Sequence, residues 1–130
     1  MTYALGSLDE LGDGPGFRKV RRALDVKAFG VNAIVMPPGM EGFEHFHYEQ
    51  DELYFVHRGR ARVEVGGETH ELGEGGVLYV ESTTPRKVSN GSDTDELVLL
   101  VVGGKGGYVE RDGMLVDPER DLARRQAFGS

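Results

Sequence analysis

From position 60 the chain reads Arg60-Ala61-Arg62-Val63-Glu64-Val65, with polar and apolar residues in strict alternation. Side chains two apart share one face of a strand, so this stretch predicts a half-buried strand. Gly66-Gly67 predicts a hairpin turn, and Glu68-Thr69-His70-Glu71-Leu72 the strand that returns from it. Short apolar runs of the same kind recur on both sides. Val31-Asn32-Ala33-Ile34-Val35-Met36 follows Gly30 and stops at Pro37-Pro38-Gly39, where proline has no N–H to give to a ladder. Leu53-Tyr54-Phe55-Val56 predicts another strand, and Val77-Leu78-Tyr79-Val80 one more after the turn at Gly73-Glu74-Gly75-Gly76. Residues 96–102 form a continuous apolar run, short enough for a buried strand.

The two ends are patterned differently. Leu5, Leu8 and Leu11 have the spacing of a short helical turn, which Gly12-Asp13-Gly14-Pro15-Gly16 would break, and residues 1–16 predict an arm lying across the rest. Residues 17–24 predict a first strand with basic residues interleaved. Asp117-Pro118-Glu119 has the chemistry of a helix start: an N-cap oxygen, a proline at the first helical position and an acid in the first turn. That helix is expected to run to about Ala127, with arginines toward its end. Leu122 is its one large apolar residue before Phe128, which predicts light docking, including against a neighbouring subunit.

Many short strands between turns argue for an all-β sandwich or barrel. The 20 glycines among 130 residues fit the same picture, because they are scattered between the apolar runs and not gathered in a linker. The chain predicts one domain overall: an arm and first strand over residues 1–29, a barrel core over 30–103 and a C-terminal segment over 104–130. There is no cysteine, so any metal must be held by nitrogen and oxygen ligands, and the usage fits a reducing cytoplasm. The start shows no basic-then-apolar leader, and no apolar run approaches membrane-spanning length. A net charge of −7 disfavours nucleic acid as a partner, and the cluster Arg18, Lys19, Arg21, Arg22 reads as a solvated face or a protein contact. Gly103-Gly104-Lys105-Gly106-Gly107 lacks the ending of a phosphate-binding loop and reads as a mobile turn.

The chemistry gathers between positions 39 and 59. His45 and His47 are two apart and face one way on a strand, with Glu44 and Phe46 facing the other. Tyr48 to Asp51 supply a polar turn, and Glu52 opens the next strand. A hairpin would bring two imidazoles and a carboxylate together, a ligand set suited to a divalent Zn, Fe, Mn or Ni ion. Tyr54 and Val56 continue the Glu52 face, which makes Tyr54 a core aromatic and the nearest candidate for a proton-transfer, oxyanion or ligand-binding role. His57 falls on the opposite face and His70 beside a hairpin turn, so both read as surface residues.

The spacing Gly39, His45, His47, Glu52, Gly59 resembles the first motif of the cupin family, in which two His and a Glu are metal ligands inside a small β-barrel. The resemblance covers roughly residues 30–103 and implies the double-stranded β-helix, or jelly roll, here with a short C-terminal helix. It also implies a homodimer, for which residues 96–102 or the N-terminal arm offer strands to a partner's sheet. The second cupin motif survives only in outline: Gly75 and Asn90 take its ends, the turn becomes Glu81-Ser82-Thr83-Thr84-Pro85, and Arg86 stands where the family has a third His.

Arginine is a donor only and stays charged, so Arg86 cannot replace imidazole as a ligand. Three roles are open to it. It anchors an anionic substrate beside a metal held by His45, His47 and Glu52; it pairs with Glu52 in a metal-free site; or a one-residue slip turns it outward and exchanges it with Lys87. The functional expectation is a small cupin whose metal site binds or transforms a small, anionic or polar organic molecule, with oxygenase, isomerase and lyase chemistry all open. The alternatives are a metal-free binding module and a structural protein.

Overall fold

Strand β2 (Gly30–Met36) and strand β9 (Leu97–Gly104) pair along their full lengths, and both are apolar nearly throughout because both of their faces are covered. Met36, Leu97 and Leu99 point into the main core, whereas Val31, Ala33, Leu100 and Val102 point to a second cluster on the other side of the same sheet. The computed structural model describes residues 3–10, 16–18, 20–104 and 112–128.

The remaining elements, in chain order, are β1 (Gly16–Arg18), α1 (Val20–Ala23), β3 (His45–His47), β4 (Asp51–Arg58), β5 (Ala61–Val65), β6 (Glu68–Leu72), β7 (Val77–Val80), β8 (Arg86–Asn90), β10 (Gly113–Leu115) and α2 (Pro118–Phe128). They form two five-stranded sheets, ordered β1-β2-β9-β4-β7 and β10-β3-β8-β5-β6. Tyr54 and Val56 from the first sheet meet Ala61, Val63 and Val88 from the second, so the inner faces of the sheets share one core. This is the all-β jelly roll with a short C-terminal helix that the sequence predicts. Among the described residues no helix is long and apolar enough to cross a membrane.

Several local expectations change. Residues 17–24 are not one strand: β1 ends at Arg18 and a short helix begins at Val20. Val20 is buried and Leu24, four positions on, packs with it in the second cluster, so the apolar spacing is helical and Arg21 and Arg22 ride between. Leu8 joins that cluster, Leu5 stays exposed, and a turn closes at Glu10 N–H to Ser7 carbonyl (3.0 Å) in place of a helix. The expectations for Leu11, for residues 12–15, for Lys19 and for the turn at residues 105–107 lie outside the described residues.

Residues 96–102 offer no edge to a partner, because β9 is central, with β2 on one side and β4 on the other. Helix α2 starts as predicted, with Asp117 Oδ1 accepting from Arg120 N–H at 3.1 Å. It does not dock through Leu122, which is 49% exposed. It is held by polar contacts instead: Arg124 donates to the carbonyls of Glu41 (2.7 Å) and Gly42 (2.9 Å), lies over the Phe43 ring and pairs with the buried Asp121.

Candidate metal centre

Strand β3 is only three residues long, and its position is fixed from both sides. β10 pairs it along one edge, and on the other His45 is the register partner of Arg86 in β8. β4 faces it from the other sheet and carries Glu52 and Tyr54 inward, with Leu53 turned out to solvent. Period-two alternation on β3 and β4 therefore brings together His45, His47, Glu52 and Tyr54, and the strand pairing adds Arg86.

All of them converge on one carboxylate oxygen. Glu52 Oε1 accepts from the Tyr54 hydroxyl at 2.7 Å. His47 Nε2 lies 3.1 Å from it, Arg86 Nη1 3.5 Å and His45 Nε2 3.6 Å. One ligand atom from each of His45, His47 and Glu52 fits within 4.8 Å of the others, close enough to hold a metal ion. His45 Nδ1 lies 3.0 Å from the Phe43 carbonyl, an acceptor that keeps the proton on Nδ1 and leaves a lone pair on Nε2, which the Tyr54 hydroxyl approaches at 3.4 Å. His47 Nε2 is buried and, among the described residues, has no hydrogen bond. Two imidazole lone pairs and a carboxylate facing one point fit a divalent metal, and the carbonyl behind His45 fits the outer support such ligands need.

Burial alone would push the Glu52 carboxyl up, but the His45 and His47 rings beside it outweigh burial and hold Glu52 well below the usual carboxylate range. Burial pushes the Tyr54 hydroxyl well up, and the neighbouring Glu52 charge pushes the same way. Tyr54 thus stays a proton donor across the whole neutral range. A raised folded value means that the contribution of Tyr54 is fully present below the ordinary tyrosine value of 10.0 and is lost as pH rises above it. Urea midpoints should therefore fall as pH rises above 10, and Tyr54→Phe should flatten that fall. An equal alkaline loss in the variant would show that Tyr54 is not the group responsible.

Arg86 points inward and is 1% exposed. The slip that would have exchanged it with Lys87 does not occur: Lys87 pairs with Glu41 and lies 3.8 Å from Glu64. Arg86 Nη2 donates to the carbonyls of Glu81 (2.8 Å) and Ser82 (3.3 Å), so the guanidinium ties down the turn that leads into its own strand. Its Nη1 contact with Glu52 is an ion pair without hydrogen-bond geometry, and both Nε and Nη1 are buried with no hydrogen bond. Asn90, at the other end of that motif, donates to the carbonyls of Met36, Pro37 and Asp95 and is a structural clamp. His57 is exposed, and His70 is exposed 3.3 Å from Glu68, so neither approaches the site.

Two residues at the site have no signal in the hydrophobic pattern. Gln50 Nε2 lies 3.2 Å from His47 Nδ1. Asp112 is buried with Oδ2 at 3.7 Å from the same nitrogen. Asp112 is far from the motif in sequence, and only the pairing of β10 with β3 brings it there.

A family model described as the cupin domain matches residues 32–103, more than half of the chain. An uncharacterised protein of Methanocaldococcus jannaschii is 30% identical over 56 residues, which cover 43% of this chain and 45% of that protein. The chain spans about half the length of the curated relatives it matches. Among solved structures, a cupin protein from Bacteroides fragilis is similar at 22% identity, covering 85% of this chain and 90% of that one, with a TM-score of 0.69. A structure described as a sugar phosphate isomerase from Silicibacter pomeroyi is similar at 22% identity, covering 78% and 76%, with a TM-score of 0.67. These likenesses bear on the fold.

Proposed function

The chain belongs to the cupin domain family, and on that premise we propose that it binds a divalent metal through His45, His47 and Glu52 and holds a small anionic organic molecule beside it through Arg86. One observation carries this reading. Buried polar groups are almost always paired, yet three atoms of His47 and Arg86, the Nε2 of the first and the Nε and Nη1 of the second, have no hydrogen bond among the described residues. One is an acceptor suited to a cation, and two are donors suited to an anion. A carboxylate or phosphate group satisfies the guanidinium donors and offsets the like charge of guanidinium and metal.

A bound metal would supply Lewis acidity toward an oxygen of the ligand. The chain's own groups then have separate tasks. Arg86 orients the anionic end, His45 and His47 contribute lone pairs, and Tyr54 holds a proton next to Glu52 that it can donate to a developing negative charge. The similar solved structures include proteins described as a sugar phosphate isomerase and a DMSP lyase, and the choice of reaction here stays open between such chemistries.

A second reading is favoured by the same carboxylate. Glu52 already has Tyr54, both histidines and Arg86 around Oε1, so the site is charge-balanced as a metal-free ligand pocket. Metal analysis separates the two. Protein purified without chelator or nickel resin should carry close to one metal ion per chain, and the His45→Ala/His47→Ala variant should carry none. No metal uptake, even after each of zinc, iron, manganese and nickel is added back, would establish the metal-free pocket.

A further inference from the structure

Behind His47, on the side away from Glu52, lies a second set of polar groups, to which Asp112 comes from beyond the family-matched stretch. β10 runs antiparallel to β3, with Gly113 opposite His47 and Leu115 opposite His45. This register delivers Asp112 to the turn that follows the histidines. Asp112 Oδ2 accepts from the N–H groups of Glu49 (2.9 Å) and Gln50 (2.8 Å) and faces His47 Nδ1 at 3.7 Å, an electrostatic contact longer than a hydrogen bond. Gly113 adds a second, steric support. A Cβ there would stand 3.0 Å from His47 Cε1, so the backbone of β10 lies directly against the imidazole ring.

A histidine that ligates through Nε2 needs its proton on Nδ1, and the acceptor behind Nδ1 favours this against Glu52 Oε1, which lies 3.1 Å from His47 Nε2 and draws the proton the other way. His45 has the Phe43 carbonyl for that purpose. Among the described residues no backbone carbonyl bonds to His47 Nδ1. It has the Asp112 carboxylate and the Gln50 side-chain amide at 3.2 Å, whose oxygen and nitrogen exchange places by a half-turn. With the amide nitrogen toward His47, Gln50 Oε1 is buried without a partner. With the oxygen there, Gln50 accepts from Nδ1–H.

We propose that Asp112 is a positioning residue for His47: its carboxylate, together with Gln50, keeps the proton on Nδ1 and so presents Nε2 to the metal. Carboxylate–histidine–metal relays of this kind are worth about 10–100-fold in metal affinity. The inference rests on the metal-site reading above, but one of its two readouts does not depend on metal.

The first readout is nitrogen NMR of the histidine rings in the metal-free chain at pH 8. Glu52 competes for the His47 proton in the metal-free chain, so the readout is a shift: the share of His47 with its proton on Nδ1 should be smaller in Asp112→Asn than in the parent. The asparagine retains an acceptor for the Glu49 and Gln50 N–H groups and removes only the charge. The second is cobalt(II) affinity by chelator competition, which should fall about 10–100-fold in Asp112→Asn and be restored toward the parent by nothing but a carboxylate at that position. Gly113→Ala, which presses the ring without touching the charge, should alter the cobalt absorption spectrum and leave the Nδ1 proton in place. An unchanged proton distribution between Nδ1 and Nε2 of His47 in Asp112→Asn overturns the inference, and so does cobalt affinity within twofold of the parent. If the parent chain binds no cobalt, the metal reading fails, while the proton measurement still decides the role of Asp112.

Discussion

Arg86→Met is expected to lower the stability of the metal-free protein by about 3–5 kcal/mol, the usual cost of removing one partner of a buried ion pair. The reason lies in what would be left behind. Glu52 is buried and held in its charged form, and among the described residues Arg86 is the permanent cation paired with it. The same substitution releases the carbonyls of Glu81 and Ser82, so the turn before β8 loses its tie as well. Glu52→Gln in the same chain should recover much of the loss, because the uncompensated charge is then gone. Metal should act in the opposite sense. Unit charges about 4 Å apart at an effective dielectric of about 20 interact by roughly 4 kcal/mol, so a divalent ion gains when the guanidinium is removed. Arg86→Met should therefore bind metal at least as tightly as the parent, regain stability on metal addition and lose affinity for anionic ligands. Denaturant midpoints with and without metal measure all of this, and a variant equal to the parent in stability, metal content and anion binding would remove Arg86 from the site.

Gly59→Ala is expected to cost roughly 2–5 kcal/mol, from two separate causes. Gly59 has a φ of +89°, a left-handed conformation that costs an ordinary residue about 1–2 kcal/mol. Its missing Cβ would also stand 2.4 Å from the Glu96 carbonyl oxygen, so the backbone entering β9 must move, an overpacking cost of about 1–3 kcal/mol. Gly66→Ala isolates the first cause. Gly66 has a φ of +60° with nothing within 4 Å of the added carbon, so only the conformational cost applies. Unfolding curves should rank Gly59→Ala clearly below Gly66→Ala, and equal losses would mean that the β9 entrance yields freely.

These two residues show what a spacing can and cannot convey. Gly39 and Gly59 stand in the sequence as marks of a motif, and each proves to hold a positive φ at a turn. The position of the Glu96 carbonyl over Gly59 belongs to a strand almost forty residues away. Strand β8 gave little hydrophobic signal, since Arg86-Lys87-Val88-Ser89-Asn90 contains one apolar residue. Four of the five are nevertheless buried, and the three polar ones among them bond to Glu81, Ser82, Met36, Pro37 and the Gly42 N–H through Arg86 Nη2, Asn90 Nδ2 and the Ser89 hydroxyl. The helix α1 was hidden for a related reason: four residues are too few for the two periodicities to be told apart, and packing against β2 decided between them.

The sequence by itself determined the all-β class, the strands with clear alternation, the C-terminal helix start and the grouping of His45, His47 and Glu52, because these rest on local periodicity and on residues at most seven positions apart. Tertiary structure decided the direction of Arg86, the burial of both faces of β9, the polar docking of α2 and the arrival of Asp112 behind His47. Each of those depends on which strand lies beside which, and the energy of a cross-strand contact is assigned only when the chain has closed the long loop that creates it.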